Sequence, residues 1–136
     1  MRRLAILVVL AFALAASTLW TGYAQQDDPR FTGKTDTMDA KDLSVARRSF
    51  EPGARSAWHS HDKGQLLYVE QGRMRTQKKG QAMKELGVGD SDYTGPNVVH
   101  WHGATPAERL VQVNVGFGGE TKWLQKTTDA EYNGSR

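Results

Sequence analysis

Glycine-centred turns set the length of every element this chain can form. Pro52-Gly53, Gln71-Gly72, Lys79-Gly80, Gly87 and Gly89-Asp90 interrupt the sequence at short intervals. The stretches between them, 43–50, 58–61, 65–70, 73–78 and 81–86, are too short for a packed helix but suit strands. Three more β-prone stretches follow at 98–102, 109–117 and 121–125, and no helix-length amphipathic segment accompanies them. Many short strands with frequent turns predict an all-β domain, a small antiparallel sandwich or barrel.

Two stretches set the expected facing. Leu66-Leu67-Tyr68-Val69 is apolar on both faces, so neither face is expected to meet water, and cover from the N-terminal arm or a second subunit is expected. In 110–115 the residues alternate. The usual reading puts Val111, Val113 and Val115 inside; a barrel holding a metal and a polar ligand would invert this and turn Gln112 toward the cavity.

The ends are expected to lie outside the domain. Met1-Arg2-Arg3 followed by the apolar run 4–16 has the build of a secretory signal, with Gly22 and Ala24 at the small-residue positions of a cut after Ala24. That makes 1–24 a signal peptide, 25–42 a polar arm, 43–125 the β-barrel and 126–136 a polar, frayed tail. Cleavage predicts a secreted or periplasmic protein with no stable membrane insertion. The apolar run is shorter than a membrane span needs. Arg2-Arg3 also admits twin-arginine export, with general secretion the simpler expectation. The whole chain carries +3, and losing the two leader arginines brings this to about +1, which removes any argument for nucleic acid. With no cysteine, packing, metal binding and association must stabilise the domain.

All four histidines occur as His59-Ser60-His61 and His100-Trp101-His102. On a strand, residues i and i+2 project to one face, so each pair can converge on one ion. Imidazole donors favour a transition metal over calcium or magnesium. Trp101 must point the other way, into core or an interface. Arg73, Arg75, Lys78 and Lys79 form the other visible cluster, read as a solvated hairpin.

The spacing Gly53, His59-Ser60-His61, Gln65, Gly72 resembles the first motif of the cupin superfamily, and Gly89, Gly95-Pro96-Asn97, His100 resembles the second. In the second, Gly95 stands in place of proline and Asn97 in place of glycine. Asn97 is therefore expected to take positive φ, which asparagine tolerates better than most residues. The resemblance implies a single-domain jelly-roll β-barrel holding a divalent metal on His59, His61, Gln65 and His100. These donors carry no charge, so the ion keeps its +2 and acts as a Lewis acid.

The segment 100–106, with 65–69 and Gly72, is similar to small bacterial cupins that include manganese-dependent hydroxynitrile lyases. This implies manganese, with iron, nickel or zinc as alternatives, and a small-molecule substrate. His102 is left beyond a sufficient ligand set, as a candidate general base or a structural histidine. Gln112 is a candidate pocket residue. It stands where those lyases carry a further histidine, and an amide cannot accept a proton as imidazole does. The expected function is that of an exported metal-dependent enzyme for a small oxygenated or carbonyl-type substrate, either a lyase or a dioxygenase, in a chain expected to be a homodimer. The alternative is a non-catalytic metal- or small-molecule-binding cupin.

Overall fold

The computed structural model describes residues 29–134; the leader, 1–24, lies outside them. Residues 29–38 belong to a unit separate from 39–136 and contain turns and bends but no strand. No helix among the described residues is long and apolar enough to cross a membrane.

The domain is an antiparallel two-sheet jelly roll. In chain order its strands are β1 (Ser44–Phe50), β2 (Ala57–His61), β3 (Gln65–Gln71), β4 (Met74–Lys78), β5 (Lys84–Leu86), β6 (Ser91–Thr94), β7 (His100–Ala104), β8 (Leu110–Gly116) and β9 (Thr121–Lys126), followed by the helix α1 (Asp129–Tyr132). One sheet runs β1-β8-β3-β6 and the other β5-β4-β7-β2-β9. The strand β6 escapes a sequence reading because Ser-Asp-Tyr-Thr has no apolar run. Its alternate residues Asp92 and Thr94 are nonetheless buried. Asp92 is buried because Lys78 donates to it from β4 at 3.1 Å.

The space between the sheets divides into two halves. Leu67, Val69, Met74, Ala104 and Leu110 form an apolar cluster, capped by Phe50 and Leu86. Beyond it, β2, β3, β7 and β8 turn His59, Gln65, His100, His102 and Gln112 inward, all buried. This settles the facing of β8. Leu110 and Gln112 are fully buried while Val111, Val113 and Val115 are only partly so, which reverses the expected order. A buried amide is tolerated where polar partners await it, and Gln112 has them.

A second apolar cluster, Trp58, Trp101 and Tyr132, lies on the outer face of the five-stranded sheet. The stretch expected to be a frayed tail supplies its cover. Thr128 caps α1 with a reciprocal capping box to Glu131. Tyr132 donates its hydroxyl to Ala104 O at 2.6 Å and packs against Trp101, with the guanidinium groups of Arg55 and Arg75 over its ring. The basic cluster is accordingly not all solvated: Arg75 also pairs with Glu85 at 2.7 Å, and Lys78 binds Asp92, leaving Arg73 and Lys79 exposed. On the opposite sheet Tyr68 is 41% exposed in the single chain, with no helix among the described residues over the outer face of β3.

Candidate metal centre

The two His pairs meet through strand register. His59 on β2 and His100 on β7 are directly paired, bringing their imidazoles to a ring separation of 4.3 Å. His61 follows two residues along on the same face. One ring nitrogen from each of His59, His61 and His100 lies within 4.8 Å of the others. The turn before β7 is pinned to this site. Asn97 takes φ 60°, as its place in the motif requires, and donates its N–H to His61 O at 2.8 Å. Gly103 is needed because a Cβ there would lie 2.4 Å from Ala54 O, where the 53–56 strap crosses β7.

Hydrogen bonds away from the cluster orient the rings. Nδ1 of His59 lies 2.9 Å from Ala57 O, and Nδ1 of His100 3.3 Å from Val98 O. With the proton of each neutral ring on Nδ1, facing its carbonyl, each Nε2 lone pair is available to a metal. His61 holds Thr121 Oγ1 at 3.0 Å through Nδ1, and its Nε2 is buried with no partner. Burial holds the His59 imidazole down at about 4. Burial, then the neighbouring His59, holds that of His100 at about 3. His61 is lowered too, again chiefly by burial. Three neutral imidazoles at neutral pH are ready ligands.

Gln65 completes the set. Its Oε1 stands 3.1 Å from Nε2 of His100. That is the spacing of neighbouring ligands on one ion, ~3 Å for bonds near 2.1 Å. Gln65 thus adds a fourth neutral donor beside the three converging ring nitrogens, and these residues fit a divalent metal held by His59, His61, Gln65 and His100.

His102 stands outside the three-nitrogen cluster. It is buried, and desolvation first, then His59 and His100, holds it neutral well below the ordinary imidazole range. Gln112 Nε2 donates to His102 Nδ1 at 3.1 Å and to Asn114 Oδ1, so the neutral ring carries its proton on Nε2; Oε1 of Gln112 is left without a partner. Rotating that amide by half a turn would present Oε1 to Nδ1–H and leave Nε2 bare.

A cavity of about 360 Å³ opens onto this constellation, with Phe50, His59, His61, His102, Asn114 and Trp123 on its walls. Trp123 stacks on His59 at 4.6 Å. A larger depression of about 730 Å³, lined by Trp58, Lys79, Met83 and Glu131 among others, lies elsewhere and contains no histidine. The chemistry therefore belongs to the smaller cavity. Sequence reasoning missed Trp123, Asn114 and Thr121 in these walls. An aromatic residue on an edge strand was the one available sign.

Comparison with known families decides the membership. The model of the Cupin_2 family, "Cupin domain", matches residues 46–116. The chain is a cupin. Among curated proteins this cupin is similar to the (R)-mandelonitrile lyase of Granulicella tundricola, 38% identical over 93 residues, 66% of this chain and 71% of that protein. Among solved structures it resembles a cupin-like protein of Thermotoga maritima, with 41% identity and TM-score 0.67 over 69% of this chain and 74% of the other. A DMSP lyase, DddQ from Ruegeria pomeroyi, shares the fold at 14% identity and TM-score 0.57, over 65% and 46% of the two chains.

Proposed function

We propose that this cupin is a metal-dependent lyase acting on a small oxygenated substrate, with manganese as its ion. The observation that carries the reading is the convergence of ring nitrogens of His59, His61 and His100 within 4.8 Å of one another, with Gln65 Oε1 3.1 Å from His100 Nε2. When bound, the ion supplies Lewis acidity toward a carbonyl or hydroxyl oxygen. His59, His61, Gln65 and His100 hold it without contributing negative charge. Phe50 and Trp123 supply apolar walls to the cavity. His102 exchanges a proton with the substrate at Nε2, and the Gln112 amide selects whether that nitrogen gives or receives it. The likeness to a mandelonitrile lyase supports cyanohydrin cleavage as the first reaction to examine: the hydroxyl proton goes to the base, the carbon–carbon bond breaks, and aldehyde and cyanide leave.

Manganese-loaded full-length protein should release benzaldehyde from mandelonitrile. Changing His59 and His61 together to Ala should abolish both metal content and release. His102→Ala should keep the metal and lower turnover by about 10²–10⁴-fold, the usual worth of a positioned acid–base group. Stoichiometric metal with no turnover of cyanohydrins, other carbonyl compounds or catechols would instead favour a binding protein, as the lack of a second acid–base residue in the cavity does.

The same proposal makes the mature protein secreted or periplasmic, on the strength of the 1–24 leader. It also makes it a homodimer, supported by the exposed Val45, Trp123 and Leu124 on the edge strands β1 and β9.

A further inference from the structure

We propose that Arg48 docks a carboxylate, so that this site takes small hydroxy- or oxo-acid anions in addition to neutral carbonyl-type compounds, an inference that rests on the metal-dependent reading of the same cavity. Arg48 on β1 lies directly across from Gln112 on β8. Opposed residues of an antiparallel pair project to one face, so Arg48 leans to the side on which Gln112 meets His102, and it lines the same cavity.

Its neighbours show that it is held for something else. Arg47, one residue earlier and on the other face, is paired with Glu70 at 2.7 Å. Arg55 also touches the cavity, but its guanidinium is spent on Thr127 O, Gly53 O and Asp129. Arg48 has no hydrogen bond or ion pair among the described residues. No aspartate or glutamate lines the cavity, and the candidate metal ligands are all neutral. The charge of a bound divalent ion and of Arg48 is therefore uncompensated by the protein, in a recess whose aromatic walls concentrate the field.

A lone surface arginine is weak evidence. This one borders a cavity large enough for a single-ring ligand, with Phe50 and Trp123 to flank an apolar body and a planar fork that matches a carboxylate in bidentate fashion. The substrate that satisfies all three features presents its hydroxyl or carbonyl to the metal centre, its apolar part to the aromatic walls and its carboxylate to Arg48.

Calorimetric titration of metal-loaded full-length protein with mandelate and with its neutral counterpart mandelamide tests this. Mandelate should bind the wild type more tightly than mandelamide. Arg48→Gln should weaken mandelate by roughly tenfold, the scale of one charge-assisted contact, and leave mandelamide within about twofold. Arg48→Lys should recover part of the loss. An unchanged mandelate-to-mandelamide ratio in Arg48→Gln, or a wild type that does not prefer the anion, overturns the proposal. Metal content, measured on the same samples, tests the other reading separately. Arg48-dependent mandelate binding to protein that takes up no metal would support the carboxylate site and sink the lyase. Full metal loading with Arg48-independent binding would overturn the carboxylate site and leave the metal centre standing.

Discussion

The His100 ring sits between Val98 O, 3.3 Å from Nδ1, and Gln65 Oε1, 3.1 Å from Nε2. Its burial beside His59 and His61, more than the number of histidines, marks the centre as a set of neutral donors. It also sets how the metal-free protein responds to acid. In the fold His59 and His100 are held at about 4 and 3, below their ordinary value of 6.5. As pH falls below 6.5 the unfolded chain takes up protons first, so the stability contributed by these neutral rings is complete above 6.5. It is lost as pH falls toward and through the folded values. Denaturant midpoints of the metal-free protein should be flat from pH 8 to 7 and decline steadily between 6 and 4. A midpoint that rises on acidification would contradict the neutral cluster. At this scale much was legible in the sequence. The motif residues His59, His61, Gln65 and His100 do come together, and Asn97 takes the positive φ expected of it. Trp123 and Thr121 were hard to read, because both reach the cavity from β9, far in sequence from the histidines, whereas Asn114 shares the face of Gln112 two residues along β8.

Strand facing was harder to read. Alternation on β8 gives two valid answers, and valine on the inner face is the ordinary one; only the partner His102 across the barrel makes Gln112 the inward residue. The short strand β6 and the helix α1 failed to register for a related reason. Both are polar by composition, and both are ordered by contacts with residues far away in the chain. For α1 those contacts are the Tyr132 hydroxyl on Ala104 O and its ring between Trp101 and two arginines. Tyr132→Phe should remove one buried hydrogen bond and cost about 1 kcal/mol. Tyr132→Ala, by emptying the site, should cost about 3–5 kcal/mol. Thermal unfolding of the two variants checks the order. Equal melting temperatures for Tyr132→Ala and the wild type would show that the helix does not cover the sheet.

Across the whole molecule the two halves of the interior divide the labour. The apolar cluster around Leu67, Met74 and Leu110 needs no ligand to hold the sheets together, and the polar half can therefore be specialised at small cost to folding. The jelly roll itself was the most predictable level, since glycine spacing limits the strands and the two motifs bring two distant strands to one ion. Removing the metal should lower the melting temperature without unfolding the domain at 25 °C, because only binding to the folded state is lost. Loss of the fold on chelation would mean that the apolar half is insufficient.

The ladder between β2 and β7 consists of a single registered pair, His59 with His100. Those two residues are also candidate ligands, so an ion held by both would tie β2 to β7 at their one registered pair. Amide hydrogens of β2 and of the outer strand β9 that hangs from it should accordingly exchange with deuterium faster in the metal-free protein, while those of β3 and β8 keep their rates. Occupancy of the ion would then be legible from the outside of the molecule, as the tightness of one seam.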